Sequence, residues 1–272
     1  MSTIKETLKK ILPPTLIRAG GQSLDALQRS KGWPEATFHP WRRDTMRRMA
    51  ALKDSRKGER CFIIGNGPSL RETDLSKLKG EFSIGMNRIY LMYPELGFST
   101  SYYLSVNDLV VEQCATDIQA LKLPRFVSWR ARRWLRPEDD LYFLYTTYTG
   151  AGFQKNAARR LWEGATVTYV AMQLAFFLGF QQVVLIGVDH NFVTQGKPNT
   201  TVVSEGDDPN HFSPSYFGKG FRWQLPDLET SELAYGMAKQ AYQAAGREII
   251  DATVGGKLRV FPRVDYNSLF HG

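Results

Sequence analysis

Residues 61–70 read C-F-I-I-G-N-G-P-S-L, and no other run constrains the fold as strongly. Four apolar residues without polar alternation suit a strand buried on both faces, the kind found in parallel sheets. Gly65 and Gly67, on either side of Asn66, then permit a tight turn that brings backbone amides close to a ligand. Pro68, Ser69 and Leu70 lead on into a polar stretch with helix-forming character. A helix starting there would offer phosphate its free N–H groups and its dipole. The same residues also suit an ordinary strand-to-helix turn, so other segments must decide.

Beyond residue 58, strand and helix signals alternate. Apolar runs at 61–64, 82–86, 101–106, 125–129, 141–145, 182–187 and 248–251 read as strands. Helical patterns cover 107–121, 153–162, 166–178 and 229–245, the last stopped by Gly246. Such alternation predicts an α/β, doubly wound, mostly parallel Rossmann-like sheet over residues 59–272. The stretch 193–226 breaks the rhythm. It is rich in Gly, Pro, Asn, Asp and Ser, yet carries His211, Phe212, Tyr216, Phe217 and Trp223. A loop this long with so many aromatics reads as an active-site lid.

Residues 1–58 form a basic, helical N-terminal extension. Residues 1–60 hold 14 Lys and Arg against 6 Asp and Glu, which accounts for the whole net charge of +8. Ile4, Leu8, Ile11 and Leu12 share a helical face beside Lys5, Lys9 and Lys10. Over residues 1–20 that pattern suits contact with an anionic membrane surface, where each basic residue contributes roughly 1 kcal/mol. Docking on the core or on a second subunit of a homo-oligomer fits as well. A further helix covers about 41–55, and its Arg42-Arg43 and Arg47-Arg48 pairs suit a solvated face. No nucleic-acid module accompanies this charge, so nucleic acid is not an expected partner. No run of 18 apolar residues occurs, and no signal-peptide pattern opens the chain. The expected location is cytoplasmic, peripheral at the inner membrane face. Cys61 and Cys114 are too few for a disulfide framework, and no Cys/His spacing suggests zinc.

Ligands of open α/β sheets bind outside the carboxyl ends of the strands. Four inferred strands end there in small or polar residues: Gly65-Asn66-Gly67, Asn87, Asn107-Asp108, and Gly187-Val188-Asp189-His190-Asn191. An Asn after a strand is commonly a turn residue. Three of them on one rim also form a neutral set of donors and acceptors that can read a nucleobase, a ribose or a sugar hydroxyl. His190 or His211 can act as general base toward an acceptor hydroxyl, with Asp189 placed to orient His190. Alternatively, Asp189 caps a turn and His190 packs at the sheet edge. Walker, G-x-G-x-x-G and D-x-D patterns are absent, and Asp207-Asp208 is the only adjacent acidic pair in the lid.

Taken in order, G-N-G-P-S-L at 65–70, Asn87, Asn107 and the run from Gly164 to Asn191 resemble two related groups. One is the bacterial sialyltransferases acting on lipo-oligosaccharide. The other is the domain shared by archaeal 6-hydroxymethylpterin diphosphokinases and bacterial motility-associated and surface-polysaccharide glycosyltransferases. The ending G-G-K-L-R-V-F-P-R-V-D-Y-N-S-L-F resembles the second group more closely. The resemblance spans about 60–270. It implies a nucleotide-sugar donor, CMP-linked, contacted by Asn66, Asn87 and Asn107, with Thr166 near the place of a donor-binding serine. Asn191 falls where the sialyltransferases keep a tyrosine on the leaving phosphate, and Tyr216 offers a hydroxyl for that phosphate instead. Their catalytic histidine corresponds most nearly to His211, with Ser215 a rival for the position. The expected function is metal-independent transfer of an acidic sugar to a glycan or lipid-linked acceptor in lipopolysaccharide or glycolipid assembly, with no cofactor. A diphosphokinase using ATP and Mg²⁺, with Asp108 and Asp189 as the acidic residues, is the alternative. A non-catalytic nucleotide-binding scaffold is the third.

Overall fold

A computed structural model describes residues 27, 30, 32–193 and 196–270. The expected membrane-facing helix over residues 1–20 lies outside the described residues. Seven strands form one parallel sheet: β1 (Arg60–Ile64), β2 (Ser83–Met86), β3 (Tyr102–Ser105), β4 (Arg125–Ser128), β5 (Leu141–Leu144), β8 (Gln182–Ile186) and β11 (Glu248–Asp251). Their order is β11-β8-β1-β2-β3-β4-β5. The chain therefore winds outward from β1 through β5, crosses back to place β8 on the other side of β1, and continues to β11. The switch point of this doubly wound fold lies between β1 and β8, in register from Arg60 opposite Gln182 to Ile64 opposite Ile186. Burial on both faces explains the unbroken apolar runs: Cys61, Phe62, Ile63, Val183, Val184, Leu185 and Ile186 are all inaccessible.

Helix α4 (Val167–Leu178) is buried along nearly its whole length and ends on Gly179 in the left-handed conformation. It packs against α5 (Leu228–Gln243) and the sheet. Two short helices, α2 (Asp108–Gln113) and α3 (Ala115–Ala120), replace the single expected helix over 107–121. The break falls at Cys114, whose backbone leaves helical geometry at φ −117°, ψ 20°. The expected helix over 153–162 does not form. That segment is irregular and ends in β7 (Leu161–Trp162), which pairs in parallel with β6 (Thr146–Thr147). The buried Gln173 holds it in place, its Oε1 accepting from Gln154 N and its Nε2 donating to Trp162 O.

The helix read as a solvated basic element, α1 (Pro40–Leu52), is a structural part of the body. Arg42 is buried, donates to Ala158 O at 2.6 Å, and is lowered by desolvation to about 10. Edge strand β5 is capped from α1: Thr45 Oγ1 accepts from Phe143 N at 3.2 Å, and Arg48 donates to Leu141 O at 2.8 Å. Thr45→Val, which keeps the shape and removes the acceptor, is expected to cost about 1–3 kcal/mol by orphaning a buried N–H. Chemical denaturation with an unchanged m-value would check it.

Residues 196–226 are more ordered than a free lid. β9 (Thr201–Val203) and β10 (Arg222–Gln224) form an antiparallel hairpin, held to α2 by Gln113, which exchanges hydrogen bonds with Arg222. Tyr216, Phe217, Phe221 and Trp223, the last from β10 itself, gather into one aromatic cluster. Among the described residues no helix is long and apolar enough to cross a membrane.

Candidate active site

A cleft of about 260 Å³ opens at the carboxyl edge of the sheet, over the β1–β8 switch point. Gly65, Asn66, Gly67, Asn87, Asn107, Thr166, Gly187, Asp189, His190, Asn191 and His211 all line it. Pro68, Ser69, Asp108 and Tyr216 do not. Four of the five described non-glycine residues with left-handed backbone also line it: Asn87, Ala165, His190 and Asn199. Sparsely populated backbone of this kind gathers where surrounding structure holds a functional geometry.

The glycine turn does something other than cradle a ligand. Its amides are spent on the β8 loop, Gly65 N on Ile186 O and Gly67 N on Gly187 O. A Cβ on Gly65 would stand 2.1 Å from Gly187 O, and one on Gly67 would stand 1.7 Å from an Asp189 oxygen. The glycines are thus required by the close approach of two strand ends. The turn runs into a five-residue 3-10 helix (Pro68–Glu72), and its first turn already holds an anion. Asp189 accepts from Ser69 N at 3.1 Å and from Ser69 Oγ at 2.7 Å. Burial pushes the Asp189 carboxyl up while those two hydrogen bonds oppose the shift. Asp189 therefore fastens the two loops and does not orient His190, and Ser69 is its partner in that link.

The three asparagines differ. Asn107 is the N-cap of α2, its Oδ1 accepting from Leu109 N and Val110 N. Asn87 accepts from Ser105 Oγ at 3.0 Å. Asn66, only 9% exposed, carries a buried Oδ1 with no hydrogen-bond partner. A buried acceptor left unpaired costs roughly 1–3 kcal/mol, and a donor arriving in the cleft would recover it. Thr166 caps α4, accepting from Thr168 N, and its Oγ1 lies 3.3 Å from Tyr235 Oη. The start of α4 also stands in the cleft wall, with Thr166, Val167 and Thr168.

Both candidate histidines reach the cleft, each with a carboxylate. His190 Nε2 lies 2.9 Å from Glu232 of α5, which supplies the partner expected from Asp189. His211 Nδ1 lies 2.7 Å from Asp208 Oδ2. The Asp208 side chain is almost fully buried, and its other oxygen accepts from Asn210 N at 2.9 Å. Beneath His211 the Tyr216 ring stacks at 4.0 Å and 8°. The Tyr216 hydroxyl is inaccessible and accepts from Arg88 N, so it supports the histidine from below and is closed to a phosphate. The lid segment is tied down beside them. Phe212 N donates to Asn66 O at 2.9 Å, Arg71 donates to Phe212 O, and Arg88 donates to Ser215 O and Tyr216 O.

Asp108 is engaged elsewhere, paired through both oxygens with Arg130 at 2.9 Å. Arg130 also binds Glu163, a buried cleft residue that no sequence signal singled out. Burial raises the Glu163 carboxyl, with Arg130 opposing. Asp108 and Asp189 therefore point at separate partners and do not form the convergent acidic pair that a Mg²⁺ ion would need. Asp208, one of the adjacent acidic pair in the lid, belongs to His211. Among the described residues no three His, Cys, Asp or Glu side chains gather to hold a cation.

The sheet order, with this cleft at its switch point, defines a doubly wound, Rossmann-like α/β architecture. Residues 42–195 match the family described as 6-hydroxymethylpterin diphosphokinase MptE-like, more than half of the chain. The chain belongs to that MptE-like family. Among solved structures it is similar to a MAf glycosyltransferase from Magnetospirillum magneticum AMB-1, at 17% identity with a TM-score of 0.50. That likeness covers 84% of this chain and 39% of the other, so the chain spans well under half of its structural neighbour. At that identity the likeness is one of fold. No curated protein matches the chain.

Proposed function

We propose that the chain is a glycosyltransferase that moves a sugar, acidic and CMP-linked, to a saccharide acceptor of surface polysaccharide or glycolipid assembly. The observation that carries the reading is the His211–Asp208 pair beside the orphaned Asn66 acceptor in the switch-point cleft. With Nδ1–H donated to Asp208, the imidazole lone pair falls on Nε2, available to an acceptor hydroxyl. The hydroxyl oxygen bonds to the anomeric carbon as the bond from that carbon to the donor phosphate breaks. The proton passes to His211 Nε2, and the nucleotide leaves with the electron pair, giving inversion. The start of α4 favours the negative charge that develops on the leaving phosphate. Asn66 Oδ1 would accept from the donor, and Asn87 and Asn107 would offer their amide nitrogens. The name of the structural neighbour supports sugar transfer. The family's name, that of a diphosphokinase, stands with the alternative reading. Against the diphosphokinase alternative stand the separate engagements of Asp108 and Asp189. The basic residues of 1–20 would hold the enzyme near a lipid-linked acceptor.

A thermal-shift screen of nucleotides tests this reading. Stabilisation by CMP or CDP, with no response to ATP plus Mg²⁺, is the expected result, since a ligand stabilises according to its occupancy. Preference for ATP and Mg²⁺ would reverse it. Asn66→Ala is expected to weaken CMP binding by about ten-fold, the loss of one buried hydrogen bond, while leaving the unliganded melting temperature unchanged or raised. A melting temperature lowered by several degrees without weaker CMP binding would remove Asn66 from the donor site.

A further inference from the structure

A second cleft, of about 500 Å³, lies beyond the carboxyl ends of β4 and β5. Its walls include Trp129, Arg132 and Arg133 after β4, Tyr148 after β5, and Glu35 from the helical stretch 32–38. Tyr148 lines both this cleft and the one holding His211. It is 61% exposed, although its neighbourhood is fixed. Its backbone carbonyl accepts from Trp162 Nε1, and Arg130 stacks over its ring at 4.3 Å. A large aromatic ring backed by Arg130 and exposed between two clefts is the kind of apolar surface on which a sugar ring packs.

Three further observations give this cleft a ligand chemistry. Trp129 lines it, and the buried indole Nε1–H of Trp129 has no hydrogen-bond partner. Arg132 stacks over the Trp129 ring at 4.4 Å and pairs with the exposed Glu35. Arg133 is exposed, and among the described residues no carboxylate lies within ion-pair distance of it. Aromatic surfaces, an orphan donor and a guanidinium without a carboxylate suit a sugar carrying a negative group, which Arg binds in planar, two-point fashion.

The geometry points to this cleft as the acceptor site, taking a saccharide that bears a carboxylate or phosphate, with Tyr148 leading its reactive end toward His211. This inference rests on the glycosyltransferase reading for the word acceptor, but the binding chemistry stands separately. A printed array of neutral, carboxylated and phosphorylated glycans, probed with the full-length protein, tests it. Acidic glycans are expected to be retained at least about ten-fold better than their neutral counterparts, and the array separates carboxylate from phosphate. Arg133→Ala should lose about ten-fold in retention, and Tyr148→Ala should lose it for all glycans. Glu35→Gln, which releases Arg132, should strengthen retention of acidic glycans several-fold. All three side chains are exposed, and unchanged melting temperatures would confirm intact folds. Stabilisation by CMP should be unaltered in Arg133→Ala, because Arg133 lies outside the His211 cleft. Equal retention of acidic and neutral glycans, no retention at all, or wild-type retention by Arg133→Ala would overturn the proposal. Glycan retention of the expected pattern in a protein that no nucleotide stabilises would remove the donor reading and leave the saccharide site standing.

Discussion

Replacing His211 with alanine is expected to slow sugar transfer by roughly 10²- to 10⁴-fold while leaving nucleotide binding nearly unchanged. The expectation rests on three contacts. Asp208 fixes Nδ1, Tyr216 stacks beneath the ring, and Phe212 N with Asn66 O ties the segment to the end of β1. Asp208→Asn keeps the shape but can donate to Nδ1, favouring the tautomer with its proton on Nε2, so it should lose most of the same activity. His190→Ala should lose far less. That ring is held by Glu232, which is more than half exposed and screened by solvent. Steady-state kinetics on the three variants, with CMP thermal shifts alongside, decide the matter. An inactive His190→Ala beside a near-normal His211→Ala would move the base to β8. Two active variants would end histidine base catalysis altogether.

Gly65→Ala is expected to destabilise the fold by about 3 kcal/mol or more, enough to lower the melting temperature of a chain this size by roughly 6–12 °C. The added methyl would meet the backbone of Gly187 just past the ends of the central strands, where Gly65 N and Gly67 N are already bonded to Ile186 O and Gly187 O. Gly67→Ala differs, because its obstacle is a side chain, the Asp189 carboxylate. Adding Asp189→Ala to Gly67→Ala should therefore recover part of the loss, and the double variant should be more stable than the sum of the singles implies. Strict additivity would show that the clash is relieved by backbone movement instead. Thermal unfolding of the four proteins measures it.

The parallel sheet was legible because strands buried on both faces must be apolar throughout, so 61–64 and 182–187 stood out without any knowledge of neighbours. The rim was legible for a related reason: polar residues directly after such strands have nowhere to go but the carboxyl edge. The partners of those residues were hidden. Nothing in the spacing tells Asp208 from Asp207, and the 18 residues between Asp189 and Asp208 disguise which carboxylate serves which histidine. Glu163 was missed because β7 is two residues long and carries no periodic signal, while the segment before it looked helical. Arg42 was misread because a guanidinium at helical spacing looks the same in sequence whether it meets water or Ala158 O. The phosphate role of the Gly65–Ser69 turn failed on a distance of a few ångströms, since Asp189 lies 120 positions away and arrives only through the fold.

The capping of β5 by α1 limits how far this protein can be shortened. Thr45 and Arg48 occupy backbone groups that an outermost strand would otherwise present to a second molecule, and such bare edges invite self-association. His39 begins that helix, its Nδ1 accepting from Trp41 N, and its ring packs on Trp129 at 5.0 Å. A truncation ending at residue 31 keeps both devices; one ending at residue 52 removes both. Insolubility of the shorter protein would then report an exposed sheet margin, and only the longer one can tell whether residues 1–20 bind lipid.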